Sequence, residues 1–461
     1  MKYISTRGAS PAISFEDVLL SGPAPDGGLY MPEAWPQLDF RRLHGKPGLT
    51  YSTIAATILA LFSGSPDWYA VIDRVTKEAY QKFSDPRVAP LREIGPHRWS
   101  LELFHGPTLA FKDFALQVLA PLMNEALTRR NSRALVIAAT SGDTGAAAVD
   151  ALGNQTNIDL IVLHPKGRIS DVQRRQMTTS RALNVRNIAV EGTFDDTQAL
   201  VKSLFADHAF AAEHRLAAIN SINWVRIAVQ AAYYVAAQIA LSKPDISFSI
   251  PTGNFGDAFA GFVAKKLGTP MGKLIIATNE NDIVAKAIQT GVYSRGRVHA
   301  TMSPAMDIQV ASNFERLLFE FYDRDADRTR SLMQQFEQTG SLTIDPAVLS
   351  RIQSMFIANQ VLEGEMLTTI KIVNREIGLL LDPHSAVGFT ATRAAGGTDD
   401  VVSLATAHPA KFPEAVASAT GLHPVLPEHL RWILQAPERC DTLPNDLAAL
   451  KSYIEKKPSV H

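Results

Sequence analysis

A lysine set between two aromatic residues, Phe111-Lys112-Asp113-Phe114, is the first group in this chain whose type and position point to chemistry. At the head of an apolar stretch, partial desolvation lowers an ammonium pKa and favours the neutral amine that attacks a carbonyl carbon to form a Schiff base. Asp113 could instead pair with Lys112 and keep it charged, and a lysine taken at random is a solvated surface charge. Two glycine loops have the composition of anion cups. Pro251-Thr252-Gly253-Asn254-Phe255-Gly256-Asp257 follows the apolar run 246–250 and opens the small-residue pattern Ala258-Phe259-Ala260-Gly261. Backbone N–H groups freed by its glycines can close around an anion where a helix dipole adds positive potential. An ordinary tight turn is the other reading, and the loop is neither a Walker A sequence nor G-x-G-x-x-G.

The second loop, Thr140-Ser141-Gly142-Asp143-Thr144-Gly145, follows the run 135–139 and opens Ala146-Ala147-Ala148-Val149. Its hydroxyls and free N–H groups can bind a carboxylate by the same physics, while Ser141, Asp143 or Thr144 could equally be plain helix caps. Two such cups suit a ligand, or a ligand pair, with two anionic ends.

The elements that must hold these groups read as alternating strands and helices. Residues 99–104 alternate as a strand and lead into a helix over about 111–130. The runs 135–139, 160–163, 185–190, 246–250, 274–277 and 401–405 are short and apolar, with helical patterns between most of them. Buried parallel strands joined by helical crossovers explain this, so the fold class is α/β. The first hundred residues, broken by turns such as 22–28 and carrying a helical stretch near 51–62, form a separate N-terminal subdomain in this reading. The expected division is 1–95 as a mainly helical subdomain, 96–117 with 216–461 as a large α/β domain, and 118–215 as a smaller one. Repeats and low-complexity tracts are absent from the sequence, and the charge cluster 323–330 reads as a solvated helix end.

At 461 residues and 46% hydrophobic, the chain can bury more than one core. Its 45 basic and 46 acidic residues leave a net charge of -1, which gives no global pull toward nucleic acid or an anionic membrane. The single cysteine, Cys440, excludes an intrachain disulfide framework and a Cys-rich metal site. With no apolar leader pattern at 1–8 and no run of roughly 18 apolar residues, the expectation is a soluble, cytoplasmic protein without a metal.

Taken together, the motifs resemble threonine synthase, of the β-family (fold type II, tryptophan synthase β-like) of pyridoxal-phosphate enzymes. The resemblance is carried by Ser14-Phe15-Glu16-Asp17-Val18-Leu19-Leu20 with Asp26-Gly27-Gly28-Leu29-Tyr30, and by His105-Gly106-Pro107-Thr108-Leu109-Ala110-Phe111-Lys112-Asp113. The loops 140–145 and 253–257, Ser312-Asn313-Phe314-Glu315-Arg316, and Thr406-Ala407-His408-Pro409-Ala410-Lys411-Phe412 complete it, in order along nearly the whole chain. It implies that Lys112 holds pyridoxal 5'-phosphate as a Schiff base. Gly253, Asn254, Phe255, Gly256 and Asp257 would hold its phosphate, and the Thr406 hydroxyl would meet the pyridine nitrogen, a neutral partner that moderates the electron sink. The implied reaction turns O-phospho-L-homoserine and water into L-threonine and phosphate. Thr140, Ser141, Asp143 and Thr144 are candidates for the substrate's carboxylate side, and Asn313, Arg316 and Lys411 for its phosphate. His384, in a family-like stretch at 382–388, is given no catalytic role. A threonine or serine dehydratase, a β-replacing synthase, and a ligand-binding relative without turnover are the alternatives. A monomer and a homodimer both fit the composition.

Overall fold

The structure is a computed structural model and describes residues 1–395 and 399–456. Two parallel sheets organise it. The larger has the strand order Phe356–Gln360, Met271–Thr278, Ile246–Pro251, Val401–Ala405, Arg98–Glu102 and Leu91–Gly95, all parallel except the last, which runs antiparallel at the edge. The smaller is parallel throughout, in the order Asp441–Pro444, Val185–Glu191, Ile158–Pro165, Ala134–Ala139 and Leu216–Ala218. The central strands Ile158–Pro165, Ile246–Pro251 and Val401–Ala405 are buried along their whole length. That is why they read as unbroken apolar runs rather than as alternation: helices cover both faces.

Each apolar run named in the sequence is a strand, and the helix expected after residue 111 spans Lys112–Arg129. The N-terminal part holds a three-stranded antiparallel sheet, Ile13–Ser14, Lys2–Ser5 and Tyr30–Pro32, and the helices Tyr51–Ser63 and Pro66–Tyr80. Tyr3, Phe62 and Trp224 form an aromatic cluster that fixes this part to the helix Trp224–Leu241. The smaller sheet is reached twice by the chain, by 134–218 and again by 441–456. Leu450 and Ile454, on the helix Leu447–Lys456, pack with Ile188, Val190 and Leu200.

Parallel pairing has one consequence for everything that follows. The carboxyl ends of Arg98–Glu102, Val401–Ala405 and Ile246–Pro251 lie on one edge of the larger sheet, so the segments leading to Lys112, Thr406 and Gly253 all leave from that edge. Ligands bind in such crevices in open α/β sheets. Gly388 lets two elements approach closely there. A Cβ on it would lie 2.9 Å from the Pro251 ring, and its carbonyl accepts from the Ser249 hydroxyl at 2.6 Å.

Candidate active site

A cleft opens at this edge. Lys112, Asp143, Thr144, Gly253, Asn254, Gly256, Asp257 and Thr406 line it, together with Phe111, Arg226, Gln230 and His384. Lys112 begins its helix, and its Nζ lies 4.9 Å from the Phe111 ring centroid. Burial pulls the amine below the usual lysine range. Asp143 pushes it back up, and Lys411 and Arg226 lower it further. Asp113, the other residue that could have held the ammonium, is turned away from it. Its carboxylate accepts from the Thr108 N–H at 2.8 Å and the Thr108 hydroxyl at 2.6 Å, and burial pushes it up to about 7.

Lys112 pairs instead with Asp143, at 3.4 Å. The other oxygen of Asp143 accepts from Lys411 Nζ at 2.9 Å and from Gln173 Nε2 at 2.8 Å. Burial raises the Asp143 carboxyl, but Lys411 and Lys112 outweigh it and hold the group well below the usual carboxylate range. Lys411 is fully buried and also donates to the Thr108 carbonyl at 2.6 Å. Thr140 supplies the helix cap of this loop. Its hydroxyl oxygen accepts from the N–H of Gly142 at 3.0 Å and of Gly145 at 2.8 Å. The hydroxyls of Ser141 and Thr144 have no partner among the described residues.

The loop 253–257 begins where Pro251 ends its strand. Phe255 takes a left-handed backbone conformation, φ 62°, as the N-cap of the helix Gly256–Lys266, and its ring is buried against Phe314 and Phe356. Burial of that ring outweighs the local strain, so Phe255 serves the cleft through its backbone alone. A Cβ on Gly253 would lie 2.8 Å from the Ala305 carbonyl oxygen and 3.1 Å from Met306 Cα. The Asp257 carboxylate accepts from the Thr252 hydroxyl and, at 2.9 Å, from the Ala258 N–H; burial pushes it up to about 6. Thr406 follows its strand directly. Its N–H donates to the Ser385 hydroxyl oxygen at 2.8 Å and its carbonyl accepts from the Phe111 N–H at 2.8 Å, which ties it to the start of the Lys112 helix.

Asn313 and Arg316 lie behind the loop rather than in the cleft. The Asn313 amide donates to the carbonyls of Ser221 and Asn254, both at 3.1 Å. The Arg316 guanidinium donates to Tyr30 O at 2.9 Å, Ile222 O at 2.6 Å and the Asn313 side chain, and burial pulls it down to about 9. His384 reaches the cleft wall with both ring nitrogens engaged: Nε2 accepts from the Ala305 N–H at 3.2 Å, so Nδ1, 3.0 Å from Asp382, carries the proton. Arg226 and Gln230 were not singled out from sequence. The signal was there, since Arg226 is the one charged residue in the eighteen of the helix Trp224–Leu241. Among the described residues there is no cluster of side chains able to hold a metal ion and no helix long and apolar enough to cross a membrane.

Comparison with known proteins bears on this geometry. Residues 2–80 match the family described as threonine synthase N terminus, 92–347 the family of pyridoxal-phosphate dependent enzymes, and 385–454 threonine synthase, C-terminal. A threonine synthase of Pseudomonas aeruginosa is 44% identical over 99% of this chain and 98% of its own. Among solved structures, the threonine synthase of Brucella melitensis with pyridoxal phosphate bound superposes with a TM-score of 0.95 at 47% identity, covering 98% of each chain. The yeast threonine synthase does so at 0.92 and 36%, over 99% of this chain and 98% of its own. The α/β architecture described above is thus fold type II, and the chain belongs to the threonine synthase family.

Proposed function

We propose that this protein is a pyridoxal-phosphate-dependent lyase that converts O-phospho-L-homoserine and water to L-threonine and phosphate, the last step of threonine biosynthesis. One observation carries the reading: a lysine amine held below its usual pKa faces a glycine-walled cleft at a helix start. The residues fit the cofactor. Gly253 lets the loop pack against the Ala305 and Met306 backbone, where a Cβ would collide, and Gly253, Asn254 and Gly256 line the cleft at a helix start whose free N–H groups suit a phosphate. Lys112 would hold the cofactor's aldehyde carbon, and the Thr406 hydroxyl would be the neutral partner for its ring nitrogen. Bound there, the cofactor supplies an electron sink for negative charge developing at the substrate's carbons.

The chain's own residues do the rest. Ser141 and Thr144, with free hydroxyls at the start of the helix Asp143–Leu152, take the substrate's carboxylate; Thr140 holds that turn in shape. Displaced by the substrate's amine, Lys112 Nζ removes a proton from Cα and then one from Cβ. Asp143 keeps the returning ammonium within reach, and Lys411 keeps Asp143 ionised while it does so. Loss of the γ-phosphate, protonation at Cγ, addition of water's hydroxyl at Cβ and return of a proton to Cα complete the balance. A monomer and a homodimer both suit the chain's composition, and a single thiol suits a reducing cytoplasm.

The test is phosphate release from O-phospho-L-homoserine by cofactor-loaded protein, against ammonia release from threonine and serine. Phosphate without ammonia is expected; a preparation that releases only ammonia is a dehydratase, and this reading then fails. A visible absorbance band bleached by borohydride should also be present in the wild type and lost in Lys112→Ala.

A further inference from the structure

We propose that Asp382 is a positioning residue of the cleft, whose one carboxylate fixes through Ser385 the acceptor that holds Thr406 and through His384 the acceptor that holds Ala305. The inference rests on the proposed function only for what these two segments serve. In that reading Thr406 meets the cofactor's ring nitrogen, and the Ala305 segment backs Gly253 in the phosphate loop.

Asp382 is the N-cap of the helix Pro383–Ala391 and is fully buried. Capping alone does not call for what is found there. The hydroxyls of Ser14, Ser170 and Thr193 cap other helices of the chain by accepting from one backbone N–H each, and the carboxylates of Asp39 and Asp325 do the same. Pro383 has no N–H to cap, yet Asp382 takes four donors. Its Oδ1 accepts from the His384 N–H at 2.9 Å and from His384 Nδ1 at 3.0 Å. Its Oδ2 accepts from the Ser385 N–H at 3.2 Å and from the Ser385 hydroxyl. Burying a carboxylate is costly unless its oxygens are answered, and a hydroxyl would have capped the helix without that cost. The two side-chain donors are the surplus.

Both lead into the cleft. A carboxylate only accepts, so the Ser385 proton is held on Asp382 and the Ser385 oxygen is left to accept from the Thr406 N–H at 2.8 Å. The Thr406 carbonyl in turn accepts from the Phe111 N–H at 2.8 Å, which carries this chain to the start of the Lys112 helix. On the other oxygen the His384 proton is held on Nδ1, and Nε2 is left to accept from the Ala305 N–H at 3.2 Å. Ala305 sits in the short turn Pro304–Met306, with its carbonyl oxygen 2.8 Å from where a Gly253 Cβ would be. An acceptor-only group thus sets the direction of two hydrogen-bond chains, one to each end of the pocket. Asparagine cannot do this. Its amine in place of Oδ1 forces His384 into the other tautomer and sets an N–H against the Ala305 N–H; in place of Oδ2 it faces the Ser385 N–H and frees the Ser385 proton to turn toward Thr406.

Wild type, Asp382→Asn, Asp382→Ser and Ser385→Ala would be compared. Nitrogen NMR of cofactor-free protein carrying isotope-labelled histidine gives the tautomer of His384, with the signal assigned by its loss in His384→Gln. The same proteins are titrated with pyridoxal phosphate by visible absorbance, and loaded protein is assayed for kcat and KM with O-phospho-L-homoserine.

Wild type should carry the His384 proton on Nδ1. Asp382→Ser, which keeps a cap but has no second oxygen, should lose that preference, bind pyridoxal phosphate about 10-fold more weakly and lower kcat about 10–100-fold with KM little changed. Ser385→Ala should keep the tautomer and still lower kcat, since it cuts only the chain to Thr406. Asp382→Asn should either lose the tautomer or match Ser385→Ala. A wild type protonated on Nε2, an Asp382→Ser protein with wild-type tautomer and kcat, or a Ser385→Ala protein with wild-type kcat overturns the assignment; Asp382 is then an ordinary cap. If the Asp382 variants do not fold, the wild-type tautomer and the kcat of Ser385→Ala decide. A wild type that develops no band with pyridoxal phosphate would sink the cofactor reading, while the tautomer in the same cofactor-free samples would still decide whether Asp382 sets the acceptor for Ala305.

Discussion

One carboxylate carries two ammonium groups in this cleft, and the pair is unequal. Lys411 is fully enclosed and bonded twice, whereas Lys112 touches Asp143 at longer range and keeps some exposure. Removing Lys411 leaves the buried Asp143 short of its closer partner, so Lys411→Met should cost about 3–5 kcal/mol of stability in urea unfolding. It also removes a positive charge that lowers Lys112. In the variant Lys112 becomes more basic, and the pH midpoint for its acetylation, followed by mass spectrometry, should move up; an unmoved or lowered midpoint would contradict the role given to Lys411. Asp113 offers a second reading by pH. Its folded carboxyl, at about 7, keeps a proton that the unfolded chain has lost by then. The stability this contributes is full below the unfolded value and is lost as pH rises through about 7, on the order of 1.4 kcal/mol per pH unit over that window. Asp113→Asn lacks this titration, so relative to wild type it should be more stable at pH 8 than at pH 5.

At the scale of elements, the cleft depends on how closely the loop 253–257 approaches the segment carrying Ala305 and Met306. Gly253→Ala must push that backbone away, and a roughly 10-fold weaker hold on pyridoxal phosphate is expected in absorbance titrations. Gly364→Ala, in the helix Glu363–Ile377 with nothing within 4 Å of a Cβ, should leave binding unchanged and add up to about 1 kcal/mol of stability. The strand–loop–helix order around Gly253 was legible because its loop is short, and the strands before Lys112 and Thr406 because each reads as an apolar or alternating run. What lies within the 140–145 loop was not: Thr140, not Ser141, Asp143 or Thr144, supplies the capping oxygen, and that choice depends on how the turn folds back. Asn313 and Arg316 stand in a motif beside the site, but a motif carries no direction, and here their donors face backbone carbonyls. Arg226 escaped notice because a single charge in an apolar helix forms no motif, although its isolation was itself the clue. The short strands Leu216–Ala218 and Asp441–Pro444 pair far along the chain and have no local pattern that announces a partner.

For the whole molecule, the cleft has walls from two sheets. Thr140–Thr144 stands at the carboxyl end of a smaller-sheet strand, while Lys112, Gly253 and Thr406 belong to segments leaving the larger one. Anything bound between them ties the two together, so pyridoxal phosphate at 100 times its Kd should add about 2.7 kcal/mol to unfolding free energy. Amide exchange at 142–145 should slow on loading; unchanged exchange would mean that the smaller sheet takes no part in binding. The strand Asp441–Pro444 lies beside Val185–Glu191, with Asp441 opposite Ile188, and covers what would otherwise be a sheet edge. A ribosome releases the chain in one direction, so that edge stands open while everything between the two strands is being made. An open edge of apolar residues such as Ile188 and Val190 invites pairing with a neighbouring nascent chain. The last-made strand of the smaller sheet thus sets the interval during which this protein is most exposed to aggregation, and the yield of soluble protein becomes a matter of translation speed and chaperone supply as much as of final stability.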